Sequence, residues 1–179
     1  MKHLAIVIPL SGSILTQTIE CWEVLTRKYN IKYHSSHSAC PHITITSGDC
    51  SDEEEFRQVV YSCLSKCSSI TIQANGLGIF VKEAPVIYIR WFLSRELKSM
   101  CILFQDGLSN VWSRISNSSV KEIWLPKSTL ALNDISYEQL PSILKELNMF
   151  DFEQSMEIEK ITLLEIDRKE KIIDEINLS

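Results

Sequence analysis

The sequence is short of glycine, proline and uninterrupted hydrophobic runs. Its 179 residues contain five glycines and five prolines, too few for a collagen-like or low-complexity chain. No apolar run approaches the ~20 residues that a transmembrane helix needs. The apolar start from Leu4 to Leu10 is short and contains Pro9, which favours a buried strand over a signal peptide. We therefore expect a cytoplasmic protein with no membrane association.

Excess positive charge and paired cysteines are also missing. The formal net charge of −5 excludes a generally basic nucleic-acid binder, so any phosphate contact must come from a local group of donors. The six cysteines form neither a CxxC pair nor a spaced ligand pattern, which argues against a zinc site or a thioredoxin-like motif. We expect reduced thiols, no metal and no other cofactor.

Length and composition are those of an ordinary globular domain, with 45% hydrophobic and 23% charged residues. A chain of this size buries a substantial core. We expect one domain over residues 1–179 and a monomer.

Hydrophobic periodicity predicts an alternation of helices and strands. Strands are predicted at 4–8, 42–46, 69–74 with an extension to 81, 85–92, 151–159, 160–167 and 172–178. Helices are predicted at 14–29 and 56–67, with the longest at 97–115. A terminal helix from Lys169 is the alternative to the last strand. Residues 30–40 are polar and irregular, and we expect His34 and His37 to lie in a loop beside the motif described next.

Two short segments repeat one pattern. Pro41-His42-Ile43-Thr44-Ile45 and Pro126-Lys127-Ser128-Thr129-Leu130 each contain Pro, a basic residue, any residue, Thr and an aliphatic residue. Strand alternation in the first segment places His42, Thr44 and Thr46 on one face. An imidazole and a hydroxyl are thereby directed to the same place, as are an ammonium and a hydroxyl in the second segment.

A helix-start signature follows each segment. Ser51 with Glu54, and Ser136 with Gln139, have capping-box spacing. In the second case Pro141 leaves a later helix start equally open. A strand, turn and helix used twice predict an α+β fold with two similar lobes, related by a pseudo-twofold axis around a central cleft.

The first segment resembles the His-x-Thr signature of the two-histidine phosphoesterase superfamily, which includes bacterial 2′-5′ RNA ligase-like proteins and cyclic phosphodiesterases. The resemblance extends over essentially the whole chain, including Gly76-Leu77-Gly78-Ile79-Phe80 between the motifs. It implies a bilobal α+β fold in which both motifs line the cleft.

In that family both motifs carry His, one as general base and one as general acid, while the Ser or Thr two residues on binds the phosphate. The resemblance implies that His42 is the remaining acid or base, and that Lys127 is a phosphate clamp and candidate proton donor. Thr44 and Thr129 are the implied phosphate ligands, and no metal is implied. A lysine with an ordinary pKa of ~10.4 is a poor proton acceptor and predicts a weakened enzyme. A depressed pKa would instead make Lys127 an adapted catalytic residue.

The resemblance therefore implies a phosphodiesterase-like protein acting on a 2′,3′-cyclic phosphate, a 2′-5′ linkage or a related nucleotide or RNA end. One alternative is a non-catalytic protein that binds nucleotides or RNA ends in the same cleft, and another is a structural domain with functionless motifs. A base could stack on aromatic side chains, although core positions are the competing explanation for Tyr33, Tyr88, Trp91 and Trp124. Arg90 is either a phosphate contact or part of a solvated face.

Overall fold

The computed structural model describes residues 1–178. Within them the chain forms five α-helices and nine strands, and the strands make up two antiparallel sheets. The elements are β1 Lys2–Pro9, α1 Gly12–Tyr29, α2 Tyr33–His37, β2 His42–Cys50, α3 Glu53–Leu64, β3 Ile70–Phe80, β4 Val86–Trp91, α4 Arg95–Gly107, β5 Trp112–Ile115, β6 Lys127–Ala131, α5 Leu140–Leu147, β7 Ser155–Ile158, β8 Lys160–Ile166 and β9 Glu170–Asn177. A short 3-10 helix covers Asn117–Ser119.

One sheet has the order β5-β2-β1-β8-β9 and the other the order β6-β4-β3-β7. The aliphatic run Leu4–Ile8 lies in the central strand of the first sheet and is buried on both faces, as predicted. Each motif begins a strand, and the two strands belong to different sheets. A shared hydrophobic cluster joins residues of both sheets, including Ile6 and Ile43 from the first and Ile72 and Ile89 from the second. The predicted α+β class is confirmed.

The prediction that the longest helix covers 97–115 is wrong, because α4 ends at Gly107 and the longest helix is α1. The chain then turns into β5, where Trp112 packs against Phe56 with ring centroids 5.3 Å apart. The apolar spacing of this short strand coincides with helical spacing. Gly48 on β2 permits the close pairing, since an added Cβ would meet the Arg114 carbonyl oxygen at 2.6 Å.

The two capping predictions have different outcomes. Ser51 does not cap α3; Asp52 does, by accepting hydrogen bonds from the Glu54 and Glu55 amides at 3.0 Å each. Its carboxylate also suits the positive end of the helix dipole. In the second copy, the Gln139 side chain accepts from the Ser136 amide at 3.0 Å. Helix α5 nevertheless begins at Leu140 with Pro141 in its first turn, so the later start is confirmed.

The segment predicted to be wholly irregular contains the short helix α2. The Asp134 carboxylate fixes its start by accepting from the backbone amides of Lys32 and Tyr33 at 2.7 and 2.6 Å. These contacts come from the loop after β6, so no local pattern could reveal them. They dock α2 against the strand that carries the second motif.

The three C-terminal strands are confirmed, and the alternative of a terminal helix is wrong. Across residues 1–178, the six cysteines form no disulfide. Nor does this part of the chain contain a helix with the length and apolar character required to cross a bilayer.

Candidate active site

Strand β2 carries the first motif between β1 and β5. His42 pairs with Pro9 and Thr44 pairs with Val7. The next pair joins Thr46 to Ile6, so β2 contains one extra residue, Ile45, at this point. Such a β-bulge changes which face of the sheet the side chains beyond it occupy. Thr46 is fully buried, and its hydroxyl has no hydrogen-bond partner within residues 1–178. The prediction that Thr46 shares an open polar face with His42 and Thr44 is therefore wrong.

The His42 imidazole has a defined tautomer. Its Nδ1 lies 2.8 Å from the carbonyl oxygen of Cys40. A carbonyl oxygen only accepts hydrogen bonds, so Nδ1 carries the proton and Nε2 retains its lone pair. A Glu170 carboxylate oxygen lies 3.9 Å from the same Nδ1, and the His42 side chain is only 9% exposed. This is an imidazole prepared to accept a proton at Nε2.

Glu170 also holds the loop before the motif. Its carboxylate accepts from the Ser38 hydroxyl at 2.7 Å and from the Ala39 amide at 2.9 Å. Glu170 begins β9 at the far edge of the sheet, two strands beyond β1, so the sheet must curl for these contacts to form. Sequence reasoning missed Glu170, because no spacing relates it to His42.

The Cys40 thiol lies in the same loop. Burial raises its pKa to about 11, and the negative charges of Glu170 and Glu175 act in the same direction. Cys40 therefore serves His42 through its backbone carbonyl, while its side chain stays a protonated thiol at neutral pH.

Strand β6 carries the second motif at the edge of the other sheet. The Ser128 side chain is buried and accepts from the Trp91 indole N–H at 3.0 Å. Alternation then places Lys127 and Thr129 on the opposite face. Burial lowers the pKa of Lys127 below its ordinary value, and the nearby Lys82 lowers it further. Within residues 1–178, the Lys127 ammonium forms no hydrogen bond or ion pair.

A cavity of about 400 Å³ opens beside Lys127. Lys127, Thr129 and Lys82 supply polar groups, and the remaining lining residues are Phe80, Val86, Ser118, Ile123, Leu125 and Leu132. Its volume falls within the range of ligand-binding pockets, ~300–1,000 Å³. His42 and Thr44 do not line this cavity, so the structure places only the second motif directly on it.

Two observations bring the motifs together. Strands β2 and β6 contact each other, although they belong to different sheets. In addition, the Trp124 indole N–H, from the segment just before β6, donates to the Thr44 carbonyl oxygen at 2.9 Å. The first motif is therefore tied through its backbone to the chain that enters the second.

His34 on α2 lies close to the basic residues of both motifs, His42 and Lys127. Burial lowers its pKa to about 3, and positive charge on His42, Lys127 and His37 lowers it in the same direction. Its ring meets the Trp22 ring edge-on, with centroids 5.4 Å apart. His34 thus places a second, neutral imidazole beside His42 and Lys127, in a short helix where sequence analysis predicted a loop.

The aromatic candidates mostly have structural roles. Tyr88 stacks on Phe80 at 4.5 Å and occupies the space above Gly78, where an added Cβ would lie 2.3 Å from its ring. Trp91 and Trp124 are buried core residues with the hydrogen bonds given above. Arg90 and Tyr33 have exposed side chains, and the Tyr33 ring stacks on the His37 ring. Across residues 1–178, no group of three or more His, Cys, Asp or Glu side chains is arranged to hold a metal.

No protein-family model and no curated protein sequence matches this chain. Solved structures do. E. coli LigT complexed with 3′-AMP superposes with a TM-score of 0.67 at 14% identity, over 99% of this chain and 98% of that chain. The chain has the two-histidine phosphoesterase fold.

Two further structures share this two-histidine phosphoesterase fold. TT0787 of Thermus thermophilus gives a TM-score of 0.68 at 12% identity, over 98% of this chain and 97% of that chain. Usb1 of Kluyveromyces marxianus gives 0.53 at 10% identity, over 99% and 98%. The fold predicted from the motif resemblance is confirmed, while identities this low leave the roles of individual residues to the geometry described above.

Proposed function

We propose that this protein is a phosphodiesterase that acts on phosphate-bearing RNA or nucleotide ends through acid–base catalysis by His42 and Lys127, without a metal. The observation that carries the proposal is the presence of two chemically different basic groups on strands β2 and β6, which contact each other although they belong to different sheets. One is an imidazole with a free Nε2 lone pair, and the other is a half-buried ammonium with a lowered pKa.

His42 acts as the general base. Hydrolysis of a cyclic phosphodiester forms a bond from water oxygen to phosphorus and breaks a bond from phosphorus to a ribose oxygen. Nε2 of His42 accepts the proton from the attacking water. The resulting imidazolium is stabilised by the Cys40 carbonyl at 2.8 Å and by the Glu170 carboxylate at 3.9 Å from Nδ1.

Lys127 acts as the general acid and delivers a proton to the departing ribose oxygen. A general acid works best when its pKa is near the operating pH. An ordinary lysine is poorly matched for this purpose, but the lowered pKa of Lys127 reduces the mismatch. The proposed roles are complementary, so a second histidine is not required for the reaction to be chemically balanced.

The phosphate lies between the motifs, where Thr44 and Thr129 donate hydrogen bonds to its oxygens. Lys82 adds a second positive charge at the cavity. The apolar walls suit the nucleoside attached to the phosphate. LigT structures have been solved with 3′-AMP, ATP and phosphate, which supports a phosphate-bearing nucleotide as the ligand class.

The direct test is a panel of 2′,3′-cyclic nucleotides and short 2′-5′ and 3′-5′ oligonucleotides, assayed for turnover and binding with excess EDTA. We expect EDTA-resistant turnover of at least one cyclic phosphate or 2′-5′ linkage. Turnover that EDTA abolishes would contradict the metal-free mechanism.

A second candidate function is supported by the same lysine. A group that is always cationic at neutral pH holds phosphate well without transferring a proton. The protein would then bind nucleotide or RNA ends without cleaving them. Binding of several panel members by calorimetry, with no product formed over prolonged incubation, would favour this candidate over the enzyme.

A further inference from the structure

A second group of catalytic residue types lies at the opposite end of the β1–β2 pair. His3 and Asp49 are paired residues on these strands, and His3 Nδ1 lies 2.7 Å from Asp49 Oδ1. The Ser116 hydroxyl, just beyond β5, lies 3.3 Å from His3 Nε2. At the usual rise of a strand, Asp49 is roughly 20 Å along β2 from His42. This Ser116–His3–Asp49 group is separate from the phosphodiester site.

The partners of each atom determine the direction of both hydrogen bonds. The ionised carboxylate of Asp49 only accepts, so His3 Nδ1 carries the proton, and in the neutral imidazole Nε2 accepts from the Ser116 hydroxyl. Arg114 donates to the other Asp49 oxygen at 2.9 Å, which orients the carboxylate towards His3. The hydrogen bond from His3, followed by that from Arg114, lowers the pKa of Asp49. The carboxylate therefore remains ionised at neutral pH.

We propose that Ser116 is an activated nucleophile served by His3 and Asp49, and that it takes the acyl group of small carboxylic esters. The arrangement has the order of a Ser-His-Asp triad, which is recognised by geometry rather than by sequence position. The three residues lie at positions 3, 49 and 116 of the 179-residue chain, so no sequence motif reveals them.

The chemical step is balanced by these three residues. Ser116 Oγ attacks the ester carbonyl carbon, and its proton passes to His3 Nε2. The bond between the carbonyl carbon and the alkoxy oxygen breaks, and His3 returns the proton to the departing alcohol. Water then releases the acid by the same route in a second step. Asp49 stabilises the imidazolium formed in each step.

The group is accessible to a small reagent. The His3 side chain is 30% exposed and that of Asp49 is 13% exposed, while Ser116 is half-buried. The open surroundings favour small activated esters over large substrates.

The test is covalent labelling of the full-length protein with a small alkyl fluorophosphonate, followed by mass spectrometry of the intact protein and its peptides. In this reaction the Ser116 Oγ–P bond forms, the P–F bond breaks and fluoride leaves. We expect one label, located at Ser116, and a burst of nitrophenol when p-nitrophenyl acetate is the substrate. Ser113 provides the matched control, because its hydroxyl bonds the Asp49 backbone oxygen at 2.9 Å rather than a histidine.

Ser116→Ala should abolish the label, and Ser113→Ala should leave it unchanged. His3→Gln should slow labelling by ~10²-fold, the usual contribution of a general base. Asp49→Asn keeps an acceptor oxygen for His3 and should slow labelling similarly, which guards against a folding defect in the His3 variant. The proposal is overturned if Ser116 is not labelled, if Ser113 is labelled equally, or if neither folded variant slows the reaction.

Discussion

The two motif strands differ in the partners that the protein provides for the basic residue of each motif, His42 on β2 and Lys127 on β6. Strand β2 lies inside a five-stranded sheet, and His42 is held by a carbonyl and a carboxylate that together prepare it for positive charge. Strand β6 is an edge strand, and Lys127 faces a cavity where the charge that lowers its pKa, in addition to burial, is another cation, Lys82. Within residues 1–178, His42 therefore has an oxygen acceptor and a nearby carboxylate from the protein itself, whereas the Lys127 ammonium has no anionic partner.

This difference indicates that the repeated motifs have divergent roles. In the proposed mechanism the first motif provides a base with a set tautomer, and the second provides an anion site with a transferable proton. Variants that remove or exchange the proposed catalytic, phosphate-binding and supporting residues of the two motifs test this comparison.

The largest effect is expected from His42→Ala. Removing the general base should lower kcat for the best cyclic substrate by ~10²–10⁴-fold, while nucleotide binding persists because the second motif is intact. Stopped assays and calorimetry on the same preparation measure both quantities. His37, which has no proposed role in the reaction, is the control, and His37→Ala should retain activity. Equal losses in the two variants would contradict the role of His42.

Removing both proposed phosphate ligands should produce the next largest effect. Hydrogen bonds to charged groups are worth ~1.5–3 kcal/mol each, so Thr44→Ala with Thr129→Ala should weaken phosphate or nucleotide binding by at least ~10²-fold. Thr46→Val is the matched control, because this buried hydroxyl has no partner within residues 1–178. Calorimetry that finds unchanged affinity in the double variant would refute the phosphate site.

Exchanging the acid should move the pH profile. A general acid must be protonated, and a histidine loses its proton near pH ~6.5. The alkaline limb of kcat/KM in Lys127→His should therefore move down to about this pH, while the acidic limb set by the base stays in place, so the bell-shaped profile narrows and activity at pH 8 falls steeply relative to its own maximum. In the wild type, the alkaline limb should lie below the ordinary lysine pKa of ~10.4, because burial and Lys82 lower the pKa of Lys127. Superimposable profiles for the two proteins would exclude proton transfer by Lys127.

A smaller effect is expected from Glu170→Gln. The amide keeps an oxygen acceptor for the Ser38 and Ala39 donors but removes the charge that stabilises the His42 imidazolium. We expect roughly a tenfold lower kcat with little change in KM, since ion pairs at this separation are worth ~1–4 kcal/mol at intermediate dielectric. Glu175→Gln, on the same strand and paired with Lys160, should change neither constant. A purely higher KM would assign Glu170 to substrate binding instead.

The smallest effect concerns stability and the neutral imidazole. His34 has a pKa of about 3 in the folded protein and ~6.5 when unfolded. Its contribution to stability is therefore present above pH 6.5 and is lost as pH falls towards 3, by at most ~1.4 kcal/mol per pH unit. His34→Gln should flatten the pH dependence of urea-unfolding free energy between pH 6.5 and 4. His37→Gln should preserve the wild-type slope.

Much of this arrangement could be predicted from local patterns. The alternation around His42, the aliphatic run of β1 and the repeated Pro-basic-x-Thr segments are short-range signals, and they led to the fold class and to the four proposed site residues. Strand β5 was not predicted, because its few apolar residues also fit helical spacing. Thr46 was misplaced because a bulge is a property of pairing with β1, which the sequence of β2 does not display.

The residues that tune the site could not be predicted, because each acts from a distant part of the chain. Glu170 reaches His42 only through the curl of the sheet. Asp134 docks α2 through backbone amides, which every residue except proline has, so the sequence contains no distinguishing donor. The lowered pKa of Lys127 depends on burial at β6 and on Lys82, neither of which is encoded near the motif.

The loop that anchors the base has a consequence for oxidative stress. Peroxides attack thiolates rather than thiols, and the pKa of about 11 at Cys40 leaves almost no thiolate at neutral pH. After burial, the Glu170 carboxylate is the largest influence that disfavours ionisation of this sulfur. In the proposed mechanism the same negative charge promotes proton transfer at His42, and together with burial it keeps Cys40 in the thiol form that peroxides do not attack.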